Sequence, residues 1–371
     1  MKQTGCRHKL FEILEKAKQE KILNTNEIEF LLHLRQNSDL NAVFKAAGKL
    51  RHRYFGDKVF LYGFIYFSTY CRNNCSFCYY RRANTLHVRY RRKMSDIIEA
   101  ARRLAGSGVH LIDLTLGEDP HIFHHKERGF DRLIQLVRAI RKETALPIMV
   151  SPGVVPDDIL PKLAAADAGW FACYQETHNP VLFERLRPDQ SYAARLKIKQ
   201  KAHNLGLLIE EGILCGVGES AEDIAESIEA MRCLEASQIR VMSFVPQQGT
   251  PMQNMKAPNP LRELLIIAVL RLVFPDRLIP ATLDVAGLAG LQSRLEAGAN
   301  VVTSLVPPGF GLAGVAQRSL DIAEAKRTAA SIVPELEKYG LRAASCEDYS
   351  AWIGNRRSEI LRDLSRENIA C

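Results

Sequence analysis

Two periodicities divide the chain. Between residues 7 and 53, Leu10, Ile13, Leu14 and Ala17, then Ile28, Leu31, Leu32 and Leu34, recur every third or fourth position, which is one apolar face of a helix. From Val59 the pattern becomes a β-branched and aromatic run over residues 59–68, a buried strand. Strand-like and helix-like patterns then alternate: helix 96–105, strand 109–115, helix 130–142, strand 147–151, helix 156–166, strand 169–174, helix 192–204, strand 207–214, helix 221–234, strand 239–245, helix 261–274, strand 277–283, helix 285–297 and strand 300–304. A last helix is expected over about 319–339. Strands separated by single helices build a parallel sheet, and eight of them within residues 59–305 fit one α/β unit, a (β/α)8 TIM-type barrel. An open doubly wound sheet is the alternative, because pattern alone does not show closure. The expected organisation is an N-terminal helical extension (1–58), the barrel (59–305) and a C-terminal helical tail packed on it (306–371).

Composition narrows the function classes. Hydrophobic residues make up 47% and charged residues 25% of the 371, an ordinary globular balance. The longest apolar runs, 59–67 and 264–270, fall short of the roughly 18 residues of a membrane span, so no membrane partner is expected. The amphipathic, charge-studded N-terminus lacks the apolar core of a signal peptide, which points to the cytoplasm. Net charge is +8, and the stretch from Arg81 to Arg103 alone holds eight Lys/Arg against two acids. Aromatics do not interleave with these cations along an extended tract, so the patch reads as a solvated face and not as a nucleic-acid site.

Nine cysteines in such a chain are not a disulfide framework. Six (Cys6, Cys173, Cys215, Cys233, Cys346 and Cys371) are solitary, while Cys71, Cys75 and Cys78 sit within eight residues directly after the first strand. Three thiolates on one short loop can hold three corners of a cubane iron–sulfur cluster. With no fourth cysteine before Cys173, one iron is left open to a small molecule, by the logic of open catalytic metal sites. A structural zinc completed by His87 is the competing assignment, and it lacks the paired knuckle such sites usually show.

The spacing Cys71-x3-Cys75-Ser-Phe-Cys78 after the first barrel strand resembles the radical S-adenosylmethionine superfamily. Longer segments narrow the likeness: Arg53–Gly56, Phe64–Cys71, Cys78–Tyr80, Asp113–Pro120, Tyr174–Thr177, Arg240–Met242, Gln247–Pro251 and Ile279–Asp284. Together they are similar to the family of lysine mutases that form (3R)-3-methyl-D-ornithine in the first step of pyrrolysine biosynthesis. The likeness spans about Arg53 to Val306. It implies an intramolecular isomerase that carries a 4Fe-4S cluster and S-adenosylmethionine, acts on L-lysine and is reduced by a partner such as flavodoxin or ferredoxin. A 5′-deoxyadenosyl radical would abstract a side-chain hydrogen, after which the carbon skeleton fragments and recombines. A hydrogenase-cluster maturase of the same superfamily is the alternative. Biotin synthase needs a second cluster inside its barrel, and no cysteine lies between Cys78 and Cys173 to hold one.

Barrel enzymes gather their active sites at the C-terminal ends of strands, and polar residues in otherwise apolar strands fall there. By resemblance, Gly117 and Glu118, in an acidic loop with Asp119, approach the methionine amino group. Glu176 and Arg195 match positions for its two charged ends, and Phe77 packs near the adenine; Ser151, Tyr174 and Val245 are expected along the same cosubstrate. Asp113, Arg240, Thr282, Asp284, Thr303 and Ser304 are the expected lysine site, with Arg240 on the carboxylate and the aspartates on the two ammonium groups. Where serine is expected two residues before Asp284, this chain has Thr282. No side chain beyond the cluster and cosubstrate is expected to be catalytic. Gly216-Val217-Gly218 opens a helix after a strand, yet no acidic residue ends the next strand, so a dinucleotide site is rejected. His121, His124 and His125 read as surface histidines, and Met231, Met242, Met252 and Met255 as packing.

Overall fold

The computed structural model describes residues 2–86, 88–316 and 322–367; His87, the beginning of the helix expected at 319–339 and Cys371 lie outside the described residues. Eight parallel strands form the sheet: β1 (Lys58–Ser68), β2 (Leu111–Leu116), β3 (Ile148–Ser151), β4 (Ala168–Ala172), β5 (Leu208–Cys215), β6 (Gln238–Ser243), β7 (Pro280–Thr282) and β8 (Val301–Leu305). Their order is β6-β5-β4-β3-β2-β1-β8-β7. The two ends meet through a parallel bridge between Gln238 and Leu278, with Ile239 N donating to Leu278 O at 3.0 Å. The sheet therefore closes, at its weakest point by one bridge, and the open-sheet alternative is set aside.

Each strand is buried along nearly its whole length, because side chains of one parity fill the barrel and those of the other meet the helices. Outside lie helices whose apolar faces drive this packing, among them Met94–Gly106, Ala221–Cys233 and Pro260–Val273. The helix expected over 285–297 is instead a 3-10 turn, Gly287–Gly290, followed by the short helix Leu291–Glu296. Two glycines in four residues weaken the first turns, and Gly287 takes a positive φ of 53° that an α-helix does not allow.

The N-terminal region is three helices, Lys2–Lys18, Thr25–Leu32 and Asn37–Phe55. The second starts at a capping box in which Asn24 and Glu27 satisfy each other's backbone amides; the third lies against Pro260–Val273. After β8 come the helix Ala329–Lys338, started by the Thr328 cap, and the two-residue strand β9 (Arg342–Ala343), which pairs with the beginning of β1. The final helix, Cys346–Glu367, falls within the expected C-terminal helical tail, in which only the helix of about 319–339 is placed individually by the sequence. The final helix closes the N-terminal end of the barrel. Tyr349 OH meets Tyr62 OH at 2.7 Å, and Trp352 stacks on Trp170 with ring centroids 6.0 Å apart. Among the described residues no helix is long and apolar enough to cross a membrane.

Candidate active site

At the opposite, C-terminal mouth, one cavity is lined by Cys71, Cys75 and Cys78 together with residues from most of the strands. The loop that carries the cysteines is fixed by its backbone: Arg72 N donates to Glu118 O (2.9 Å), Ser76 N to Leu186 O (2.8 Å) and Arg82 N to Asn73 O (2.8 Å). Gly117 makes the first of these contacts sterically feasible, because a Cβ there would lie 2.4 Å from Tyr70 O and 2.7 Å from Cys71 Cβ. Burial pushes the Cys71 thiol up to about 11 and the Cys78 thiol up to about 12. Thiols so desolvated ionise when a cationic metal centre takes the proton's place. Two donors already face Cys75 Sγ, Arg187 Nη1 at 3.3 Å and Gln190 Nε2 at 3.1 Å, as the sulfur of a metal-bound thiolate favours. Among the described residues no three His, Cys, Asp or Glu side chains are arranged to hold a single ion. The donor set suits a multi-iron cluster with one uncapped corner, and the three cysteines are the residues that would hold it.

The residues expected along the cosubstrate, Phe77, Gly117, Glu118, Ser151, Tyr174, Glu176, Arg195 and Val245, all line this cavity. Glu118 accepts from Arg72 Nε (2.8 Å) and Val154 N (3.1 Å) and faces Arg195 Nη1 at 3.7 Å. Its side chain occupies the space a side chain at Gly153 would need, with Cγ 2.4 Å and Oε1 2.5 Å from that missing Cβ. Asp119 is turned away: it caps the helix Pro120–His124 and is clasped by Arg91 and Ser68. Glu176 is left-handed, with φ 69°, a conformation non-glycine residues keep only where their surroundings enforce it. Leu214 N, donating to Glu176 O at 3.0 Å, is one such restraint. Behind it, Glu211 accepts from Gln175 N and Gly212 N, both at 2.8 Å, and forms a fully buried pair with Lys199.

Glu176 and Arg195 do not pair with each other. Glu176 accepts from Arg187 Nη2 at 2.6 Å, whereas Arg195 donates to the Tyr174 carbonyl (3.0 Å) and Gln190 Oε1 (3.2 Å). Arg187 thus forks between the Cys75 sulfur and the Glu176 carboxylate. Sequence reasoning passed over Arg187 and Gln190, which lie in a loop between two helices where no periodicity marks them.

On the floor of the cavity lie Asp113, Arg240, Asp284, Thr303 and Ser304. Thr282 does not reach its wall; it is buried behind Asp284, 3.4 Å from Oδ2. Its placement at the substrate is corrected to a support of Asp284. That aspartate also accepts from Ser304 Oγ (2.5 Å) and from Arg327 Nη1 (2.7 Å) of the C-terminal tail. Arg240 has Glu210 Oε1 2.7 Å from its Nε and lies over the Tyr174 ring, so it already has a carboxylate partner. Burial opposes its charge, but Glu210, Tyr174 and Asp113 hold it protonated above the ordinary range. Burial, and then Glu210, push Asp113 up to about 7, against the pull of Arg240 and bonds from Thr115 and Ser151. Glu210 and Arg327 were also missed. Glu210 did leave a signal: Glu210-Glu211 is an acidic pair inside an otherwise apolar strand, one member facing the barrel interior and the other the helices.

The amides of Gly216 and Val217 are filled by the chain's own Glu219 carboxylate at 2.9–3.0 Å, which leaves no phosphate cradle, and these residues do not line the cavity. His121, His124 and His125 are exposed. Met242 lines the cavity wall, Met231 and Met252 are buried, and Met255 is exposed.

A model of the radical SAM superfamily matches residues 65–231. The 3-methylornithine synthase of Methanosarcina barkeri is 43% identical over 332 residues, covering 90% of this chain and 93% of that protein. A crystal structure of methylornithine synthase (PylB) superposes with a TM-score of 0.86 at 42% identity, covering 92% of this chain and 99% of that one. The FeFe hydrogenase maturase subunit HydE of Thermotoga maritima is 31% identical, covering 78% of this chain and 82% of its own. The maturase shares the scaffold, but the higher identity and the near-complete mutual coverage fall with the synthases. The chain belongs to the 3-methylornithine synthase family of radical S-adenosylmethionine enzymes, which work with a 4Fe-4S cluster and S-adenosylmethionine.

Proposed function

We propose that the protein isomerises L-lysine to (3R)-3-methyl-D-ornithine in the cytoplasm, as the first step of pyrrolysine biosynthesis, within the barrel of residues 59–305. The described helices of the extension (1–58) and of the tail (306–371) brace that barrel. When bound, the cluster and S-adenosylmethionine supply the 5′-deoxyadenosyl radical that removes a hydrogen from the substrate side chain. Cys71, Cys75 and Cys78 hold three irons. Glu118, Glu176 and Arg195 orient the charged ends of the cosubstrate, with Phe77 against its adenine and Gly117, Ser151, Tyr174 and Val245 completing the wall. Arg187 and Gln190 keep Cys75 in register with that site. A flavodoxin or ferredoxin delivers the electron.

The observation that carries the substrate assignment is the charge inventory of the floor. Asp113, Glu210 and Asp284 are three carboxylates; Arg240 and Arg327 are two guanidiniums, each already beside one of them. One negative charge is in excess, and lysine carries a net charge of +1. Burial, and then the charge of Glu210, hold Asp113 above the usual carboxylate range; a bound lysine ammonium opposes both. Arg240 turns its guanidinium toward the lysine carboxylate while Glu210 holds it from beneath. Asp113 and Asp284 take the two ammonium groups, and Thr303 and Ser304 add neutral hydroxyls. The closed barrel excludes water and retains both fragments until they recombine.

Anaerobic reconstitution, reduction with dithionite and incubation with S-adenosylmethionine and L-lysine tests this. Mass spectrometry is expected to find a lysine isomer that co-elutes with 3-methylornithine. An analogue lacking the ε-amino group is expected to be rejected. Formation of 5′-deoxyadenosine with lysine left unchanged would overturn the assignment in favour of a maturase-type substrate.

A further inference from the structure

The positive charge of this chain is concentrated where the cluster loop meets solvent. From Cys71 to Lys93 the sequence has seven Lys/Arg and no Asp or Glu. Residues 81–84 form a layer directly over the outer side of that loop. Arg82 N donates to Asn73 O (2.8 Å), Ala83 N to Asn74 Oδ1 (3.0 Å) and Arg81 Nη2 to Asn74 O (3.2 Å). Asn73 and Asn74 lie between two cysteines of the half-exposed cluster loop, so this layer sits beside the cluster's route to solvent. Acids neutralise two of the seven cations, Arg72 through Glu118 and Arg91 through Asp119. Arg89 and Arg92 bond to backbone carbonyls, which fix their position and leave their charge. Arg82 and Lys93 are exposed.

The same segment exposes two aliphatic side chains, Leu86 at 58% and Val88 at 68%. Neither they nor Arg82 and Lys93 line the active-site cavity, so the chemistry inside the barrel does not explain them. An apolar centre within a basic rim is the composition of a transient protein interface. It does not suit single-stranded nucleic acid, because Tyr80 is buried and the half-exposed Tyr90 ring is already covered by the Arg92 guanidinium at 4.6 Å.

We propose that the face carrying Arg82, Leu86, Val88 and Lys93 is the docking surface for a small acidic one-electron carrier protein that reduces the cluster. This rests on the radical reading above, which requires an electron that the chain does not itself supply. The step balances simply: the carrier loses one electron, the cluster gains one, and no covalent bond changes. Long-range attraction between an acidic carrier and this rim raises the encounter rate and makes it fall with ionic strength, while the aliphatic pair gives the short-lived complex its dry contact.

The test uses the full-length, reconstituted protein and two reductants. The variants Arg82→Glu/Lys93→Glu and Leu86→Ser/Val88→Ser are compared with the unaltered chain in stopped-flow reduction of the cluster by reduced flavodoxin, at low and high salt. Formation of 5′-deoxyadenosine with dithionite is the control. Charge reversal is expected to slow flavodoxin-driven reduction at least about tenfold and to flatten its salt dependence, with dithionite-driven turnover unchanged. An unchanged flavodoxin rate places the carrier elsewhere and overturns the proposal, as does equal loss with both reductants, which locates the defect in the cluster loop. Oligonucleotide binding abolished by the charge reversal while flavodoxin reduction persists would overturn it in favour of a nucleic-acid surface. If the unaltered protein is reduced normally but leaves lysine unchanged, the lysine assignment fails and the docking surface stands.

Discussion

Replacing Asp113 by Asn asks whether this carboxylate serves the substrate or the fold. Asp113 is buried, and its pKa moves from an ordinary 3.8 up to about 7. The native state therefore binds the proton more tightly than the unfolded chain does. Stability contributed by the protonated form is complete below about pH 4 and is lost as pH rises towards 7, after which the loss is constant. A shift of about three units corresponds to about 4 kcal/mol by pH 8. For a chain of this length, with an unfolding entropy of about 0.8 kcal/mol/K, that is about 5 °C in Tm. Asn keeps the shape and much of the hydrogen bonding to Thr115 and Ser151 without the charge. Asp113→Asn is thus expected to raise Tm by about 5 °C at pH 8 and by only about 2 °C at pH 5. The same variant is expected to lose lysine turnover at least about a hundredfold, the scale of one buried charged partner. Differential scanning fluorimetry from pH 5 to 8.5, paired with product assays, reads both. A variant less stable than the parent across the range would show that Asp113 is a structural partner of Arg240, and the charge-inventory argument would fail.

Alanine at Cys71, Cys75 or Cys78 is expected to abolish iron–sulfur absorption and 5′-deoxyadenosine formation, while alanine at Cys215, which is buried against Ser243, leaves both; loss of iron in the latter would void the ligand assignment. Gln190→Leu removes a donor to Cys75 Sγ and is expected to lower the cluster potential by about 50 mV, a fraction of a charged hydrogen bond at 59 mV per tenfold; an unshifted EPR-monitored titration would remove Gln190 from that role. Arg240→Ala and Asp284→Ala are each expected to cost lysine turnover about a hundredfold or more with cosubstrate binding retained, checked by isothermal titration and product analysis. Tyr349→Phe leaves the buried Tyr62 hydroxyl without its partner, a loss of about 1–3 kcal/mol, and is expected to lower Tm by about 1–4 °C with iron content unchanged.

What the sequence made legible was local. Hydrophobic runs located all eight strands to within a few residues, because burial on both faces is written into consecutive side chains. Three cysteines in eight residues located the cluster loop, and polar residues at strand ends, among them Asp113, Tyr174, Arg240 and Asp284, were found on the cavity wall, whose apolar half went largely unnamed. Partner choice was not legible. Arg187 reaches Cys75 and Glu176 because the loop after Pro180–Leu186 folds back over the first strand's loop, and Arg327 reaches Asp284 from 43 residues away. No local pattern encodes such meetings. Thr282 and Asp284 alternate in sequence as a strand would have them, but β7 ends at Thr282, so the two-residue period stops applying and only Asp284 faces the cavity.

The closing helix follows from the same distinction. Tyr349, Ile353, Arg356 and Ile360 recur at helical spacing in a segment otherwise rich in charge, a pattern that states a helix with a narrow buried face and leaves its destination open. That destination is set by the barrel. An eight-stranded barrel whose lower interior carries Tyr62, Trp170, Glu210 and Gln238 has polar atoms there that need either water or a lid. Tyr349 and Trp352 supply an aromatic lid, and β9, hydrogen-bonded to the start of β1, anchors the chain beside it. Radical chemistry at the upper mouth demands that water reach the fragments from neither end. This helix closes the lower end, and the same tail sends Arg327 to Asp284, so the tail shapes the floor on which the fragments are held.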